Sequence, residues 1–335
     1  MLVRPAGNLS AHRPLIMPKN TTAPIPQAGE ITAQVLRGIA GNRIPGLHFA
    51  GYFLDMALPR INGDEVIMSL PHAPHTCDDQ GMLDLTALCM LADSSLATAT
   101  RSQVAAGARL ATLHLQLQFT GLPASGAATS TARPLGAFAG SAVQQLLASA
   151  TIATSAGIIC HTSGEFAALE PPPGVALAPL PWQYETPPQP AALSAGALLA
   201  DEEPIFKACR NALRKAADQP AFIQHFWGGL PIRTRDGART RFAVGPHVGN
   251  RVGHVQGGIS VGIAARCACV AAPAHMMLSN ISACYISPGR GKALVVKSRV
   301  VHAGKTIAVV RTEVKTDIGA RVLDVVTHHV ARGRA

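Results

Sequence analysis

The feature that most limits what this chain can fold into is an internal repeat. Asp84 and Gln256 stand 172 positions apart, and at that offset Asp64 falls on Asp236, Pro74-His75 on Pro246-His247, Asp78 on Asn250 and Gly81 on Gly253. Farther along, the offset shortens to 166, where Phe119 falls on Tyr285, and then to 164, where Ala139-Gly140 falls on Ala303-Gly304. So many matches in order describe one unit used twice. Each copy reads strand, strand, loop, long helix, then several antiparallel strands, which makes it a duplicated α+β unit. The chain then divides into a proline-rich arm (1–27), a first unit (28–170), a proline-rich linker (171–198) and a second unit (199–335).

Local patterns fill in the units. Amphipathic or apolar periodicity predicts helices over 29–41, 83–101 and 205–217. Residues 49–70 read as strand, turn, strand, turning at Asn62-Gly63-Asp64, and strands resume at Phe222. Leu113, Leu115, Leu117 and Phe119 alternate with His114, Gln116, Gln118 and Thr120, the pattern of a half-buried strand. The prolines of 170–190 exclude regular structure and predict a semi-rigid connection between the units. The arm carries Pro5, Pro14, Pro18, Pro24 and Pro26 and no continuous apolar stretch, so it reads as loosely ordered rather than as a signal peptide.

Composition narrows the functional classes. With 48% hydrophobic and 14% charged residues the chain can bury two cores, yet no apolar run reaches the ~18–20 residues that span a bilayer. A cytoplasmic location without membrane partners is the default expectation. Seven cysteines without a CxxC pair predict neither a zinc site nor a disulfide framework, and no metal is expected. The formal net charge of +10 is explained by solubility alone, and it also fits a small phosphorylated ligand. Aromatics at 4% and the lack of a basic helix or recognisable module argue against nucleic acid.

The most distinctive stretch is Asn250-Arg251-Val252-Gly253-His254-Val255-Gln256-Gly257-Gly258, followed by an apolar run that predicts a buried helix. Glycines at a helix start leave free N–H groups uncovered, so a polarised oxygen can approach them. Taken alone, the stretch reads equally well as a tight turn before a core helix. The other notable residue is Asp93, the only charged side chain between Leu85 and Thr100. A carboxylate in so apolar a helix is expected to be buried, with a raised pKa suited to a base.

These residues carry a resemblance. Asn250-x-x-Gly253-x-Val255-Gln256-Gly257-Gly258 resembles the N-x-x-G-x-V-H-G-G signature of hotdog-fold acyl-CoA thioesterases of the phenylacetate-pathway (PaaI-like) type. Leu91-Ala92-Asp93 resembles the L-A-D that follows nine residues after that family's histidine, which puts Asp84 at the histidine position. The tail 297–310 is similar to the family's last hairpin, and the likeness covers roughly 49–166 and 222–330. It implies two hotdog units in tandem, each a long helix wrapped by a curved antiparallel sheet, packed as an intramolecular pseudo-dimer.

The two copies depart from the signature in opposite ways. The first keeps the acid, Asp93, but has Asp84-Leu85-Thr86 for His-Gly-Gly; the second keeps Gly257-Gly258 behind Gln256 but has Ala265 at the acid position. Residues eight apart on one helix lie ~12 Å from each other, too far for one helix to supply both parts. The family draws its acid from a neighbouring subunit, so the resemblance implies one composite site, Asp93 meeting Gly257 and Gly258. The reciprocal combination, Ala265 with Asp84-Leu85-Thr86, is expected to be inactive.

The implied reaction is hydrolysis of an acyl-CoA thioester. The N–H of Gly257 would hold the carbonyl oxygen, and Asp93 would act as base or nucleophile. Gln256, His254 and Asn250 would orient substrate or water. Arg290, Lys292, Arg299 and Lys305 are candidates for the anionic end of coenzyme A, which enters as part of the substrate rather than as a cofactor. The alternatives are an acyl-CoA hydratase or dehydratase and a non-catalytic acyl-CoA-binding protein. A homo-oligomer of such double chains is also open.

Overall fold

The computed structural model describes residues 27–333, apart from 47, 57, 106, 141–142, 172–173, 175–176 and 187–188. The proposed arm over 1–27 therefore lies outside the described residues except for Gln27. The elements run in order α1 (Ala28–Asn42), α2 (Phe49–Phe53), β1 (Arg60–Asn62), β2 (Glu65–Leu70), α3 (Leu85–Ala99), β3 (Arg109–Phe119), β4 (Ala128–Ala137), β5 (Gln145–Thr154) and β6 (Gly157–Leu169). They continue with α4 (Glu203–Asp218), α5 (Phe222–Trp227), β7 (Ile232–Thr234), β8 (Gly237–Ala243), α6 (Gly257–Ala271), β9 (Met276–Tyr285), β10 (Ala293–Ala303), β11 (Ile307–Thr316) and β12 (Arg321–Ala331). The second series repeats the first element for element.

The twelve strands among the described residues join one sheet in the order β1-β2-β4-β5-β6-β3-β9-β12-β11-β10-β8-β7. Read inward from either edge, the two halves have the same strand order. They meet at an antiparallel seam between β3 and β9, where Leu115 pairs with Ala283 and Leu117 with Ile281. The helix α3 packs on β2 to β6, and α6 on β7 to β12. One helix can touch so many neighbouring strands, each ~4.8 Å from the next, only if the sheet curves around it.

α3 and α6 are apolar on nearly every side because both are surrounded by sheet and by each other. They cross in opposite directions and very closely. A Cβ on Gly258 would lie 2.6 Å from the Cα of Met90, and one on Gly262 would lie 2.5 Å from the Cα of Thr86. Glycine is required at both because the atoms in the way are backbone.

The turns before the two helices are built alike. Asn250 Oδ1 accepts from the N–H groups of Val252 and His254, both at 3.0 Å, and Asp78 Oδ1 accepts from Gln80 at 2.9 Å and Met82 at 3.0 Å. The left-handed position in each is a glycine, Gly253 at φ +76° and Gly81 at φ +72°. The 172-residue offset therefore marks equivalent backbone.

Two expectations fail in the same way. Residues 49–53 and 222–227 form short helices, not strands. Their aromatic rings stack within each short helix, Phe49 on Phe53 at 5.6 Å and Phe222 on Phe226 at 5.2 Å between centroids, and Phe53 meets Phe226 at 5.0 Å. A short aromatic run has no period of its own, and here core packing set its shape. Among the described residues no helix is long and apolar enough to cross a membrane.

Candidate active site

Asp93 projects from α3 toward the first residues of α6 and is only 4% exposed. Its Oδ2 accepts from the N–H of Gly258 at 3.0 Å, and its Oδ1 accepts from the Thr112 hydroxyl at 2.9 Å. Burial raises its carboxyl to about 6, against the lowering effect of the bonds from Thr112 and Gly258. Among the described residues no cation lies within ion-pair distance of it.

The start of α6 is arranged around this carboxylate. Gln256 is the N-cap, and its Oε1 accepts from the N–H of Gly257 at 3.0 Å. The carbonyl of Gly257 accepts from the Tyr285 hydroxyl at 2.9 Å. Burial first, and then the charge of Asp93, hold the Tyr285 phenol well above its usual range, so it remains a donor. A Cβ on Gly257 would lie 2.8 Å from Asp93 Oδ2 and 3.3 Å from the Tyr285 hydroxyl. Only glycine leaves room for a carbonyl group at this point.

These groups face a largely apolar cavity of about 420 Å³, lined by Asp93, Asn250, His254, Gln256 and Gly257 together with Thr112 and Tyr285. A pocket of that size suits a small molecule. Asn250 uses its side-chain oxygen to build the turn described above. His254 receives the Nε–H of Arg290 at its Nε2, at 2.8 Å, and is lowered by burial and then by Arg290 and Arg109. It is thus a neutral imidazole at neutral pH.

The four basic residues Arg290, Lys292, Arg299 and Lys305 do not lie together. Arg290 reaches the site through His254. Lys292, Arg299 and Lys305 do not line the cavity. Arg299 lies on β10, four strands from β3 across the sheet, and Lys305 lies in the turn just beyond it. Strand spacing alone carries both away from the seam. The cations that do line the cavity are Arg101, Arg109 and Arg251. Arg109 Nε is buried and has no hydrogen-bond partner among the described residues, and burial followed by the nearby Arg251 lowers Arg101 to about 10. Arg101 follows the end of α3, Arg109 begins β3 and Arg251 lies in the turn before α6, so only the tertiary fold brings them to one cavity.

The equivalent pole of the helix pair is closed. Arg266 of α6 donates from Nη2 to Asp84 Oδ1 at 2.6 Å, to Asp84 Oδ2 at 2.8 Å and to the Thr86 hydroxyl at 2.6 Å. Asp84 caps α3 through the N–H of Thr86 at 2.8 Å. Ala265, in register with Asp93, is fully buried.

Comparison with known proteins agrees with this architecture. Residues 259–322 match the family model of the thioesterase superfamily. No curated protein matches the chain. Among solved structures, a Lactobacillus plantarum protein provisionally described as an oleoyl thioesterase superposes with a TM-score of 0.50 at 11% identity, covering 81% of this chain and 97% of its own. Acyl-CoA thioesterase II of Mycobacterium marinum gives a TM-score of 0.45 at 11% identity over 84% of this chain and 97% of its own. A Bacillus halodurans protein crystallised with CoA gives 0.38 at 22% identity over 42% of this chain and all (100%) of its own. The fold is α+β of the hotdog kind, with helices on one large antiparallel sheet whose two halves repeat one strand order.

Proposed function

We propose that the chain hydrolyses an acyl-CoA thioester at one composite site, with Asp93 from the first unit acting on a carbonyl held at the α6 start of the second. The observation that carries this reading is the buried Asp93 carboxylate, raised to about 6 and bonded to the N–H of Gly258 across the two units. A base with such a pKa is ionised near neutral pH yet basic enough to take a proton from water. The Gln256 side-chain carbonyl holds the Gly257 N–H that a thioester oxygen would claim. Substrate binding then turns Gln256 aside, and its amide is left to orient the acyl group or the water.

In the base mechanism Asp93 takes a proton from water, the hydroxide oxygen bonds to the thioester carbon, and the C–S bond breaks. The departing thiolate takes the proton back from Asp93. In the nucleophilic variant an Asp93 oxygen bonds to the thioester carbon and the C–S bond breaks to release the thiolate; water then cleaves the anhydride to the free acid and the Asp93 carboxylate, its spare proton going to the thiolate. In either case the Gly257 N–H and the dipole of α6 favour the oxyanion. Arg101, Arg109 and Arg251 are the side chains we assign to the phosphates of coenzyme A, in place of Lys292, Arg299 and Lys305.

The test is release of free thiol from short, long and aromatic acyl-CoA substrates by wild type and Asp93→Asn. The substitution should lower kcat by about 10²–10⁴-fold. Release from none of the substrates by wild type would end the thioesterase reading, and binding without release would favour a carrier. Full activity in Asp93→Asn would move the chemistry elsewhere.

A further inference from the structure

One wall of the cavity belongs to neither unit of the repeat. Leu177, Leu180 and Trp182, from the segment joining β6 to α4, form it, and Met56, Met68 and Phe166 of the first unit line the cavity beside them. A segment connecting two folded units ordinarily runs over the protein surface. Here Leu180 is 5% exposed and Pro181 is buried. The segment is also fastened where it lies. The Arg251 guanidinium donates to the carbonyl of Ala178, and the N–H of Leu180 donates to Gln183 Oε1 at 2.7 Å. Gly46, at φ +117°, sits so close that a Cβ there would be 2.2 Å from the carbonyl oxygen of Pro179. Downstream, Arg43 grips both oxygens of Glu202 at 2.7 Å and the carbonyl of Ala197 at 2.8 Å.

Arg251 has a second consequence. It belongs to the turn organised by Asn250 that leads into Gly257, so the wall and the start of α6 hang on one short loop. The lining chemistry names the ligand class. Methionine and leucine present flexible, unbranched or γ-branched apolar surface that adapts to a chain with many conformers.

We propose that this joining segment is the specificity element of the site: Leu180 and Trp182 are the surface along which the acyl group lies, and that group is an extended aliphatic chain. The proposal rests on the thioester reading for its substrate, but the wall can be tested apart from hydrolysis.

The first arm measures kcat/KM for acetyl-, octanoyl- and palmitoyl-CoA in wild type and Trp182→Ala. Loss of the indole should lower the palmitoyl value about tenfold or more relative to acetyl. Trp182→Phe should restore most of the difference. An equal loss on all three substrates, or none, overturns the proposal.

The second arm needs no turnover. The chain has two tryptophans, and the other, Trp227, is 1% exposed in the core. Titration with dodecanoate should therefore change the tryptophan emission of wild type, and Trp182→Phe should abolish the change. Unchanged emission in wild type, or a change that persists in Trp182→Phe, overturns the wall. If wild type hydrolyses no thioester, the catalytic reading falls while this arm still decides the wall.

Discussion

The two poles of the α3–α6 pair are built on equivalent backbone and have opposite contents. At one, Asp93 meets the N–H of Gly258, with Thr112 and Tyr285 supplying hydroxyl donors to the carboxylate and to the Gly257 carbonyl. At the other, each of these has an apolar or bulkier counterpart in register: Ala265 for Asp93, Thr86 for Gly258, Leu278 for Thr112 and Phe119 for Tyr285. Arg266 then bonds Asp84 and Thr86 across the interface. The lesson is about charge. A carboxylate left without a cation in a buried place keeps a raised pKa and stays available to react, whereas one given a guanidinium becomes a joint. The same helix crossing serves both ends.

Breaking the joint should have the largest effect. Arg266→Met leaves the Asp84 carboxylate buried, at 1% exposed, without its cation. Removing one partner of such a pair typically destabilises by about 3–5 kcal/mol, while replacing both is often neutral. Denaturant unfolding should therefore show a large loss for Arg266→Met and recovery when Asp84→Asn is added, which removes the charge and keeps an oxygen for the Thr86 N–H. Equal stability of the single variant and wild type would show that this pole does not hold the units together.

The glycines sharpen the comparison. A Cβ on Gly258 or on Gly262 would press against the opposing helix backbone, so Gly258→Ala and Gly262→Ala should each lose about 1–3 kcal/mol by overpacking. Alanine keeps the backbone N–H, but the shift that its methyl forces at position 258 moves this donor away from Asp93, whereas Gly262 lies a turn farther along and bonds nothing there, so only Gly258→Ala should also depress thiol release per folded molecule. Matching activity losses in the two variants would mean that helix spacing alone, and not the bond to Asp93, governs the site.

How much of this was readable from the residues follows from where the information lies. Asn250 with Gly253, and Asp78 with Gly81, specify a turn within five residues, so the repeat, the starts of both long helices and the register of Asp93 against Ala265 were open to inspection. Thr112 was not. Simple alternation puts it on the outer face with His114, but β3 pairs Thr112 with Phe166 and His114 with Glu165, leaving Leu113 as a bulge. The extra residue turns Thr112 inward to Asp93. The bulge itself repeats, at Ser279 of β9, where His328 pairs with Asn280 and His329 with Leu278. Tyr285, Arg101, Arg109 and Arg251 were missed for a related reason. Their roles depend on which strands meet at the seam and how loops fold over it.

The smallest effect bears most directly on the chemistry. With the carboxyl of Asp93 at about 6, kcat/KM should fall on the acid side of that pH, because the charged form is the base or the nucleophile. The Thr112 hydroxyl bonds the charged form and so lowers the pKa; Thr112→Val removes that donor while keeping the shape. The acid limb should then move up by about one unit, the size expected for one hydrogen bond to a charged group. Stability carries an independent sign. Because the folded value lies above the ordinary 3.8, Asp93 favours the folded state at low pH, and this contribution is lost as pH rises through about 6. Asp93→Asn should flatten that part of the stability profile, and Thr112→Val should extend the loss to higher pH. An acid limb that stays in place in Thr112→Val would assign the titrating group in catalysis to a residue other than Asp93.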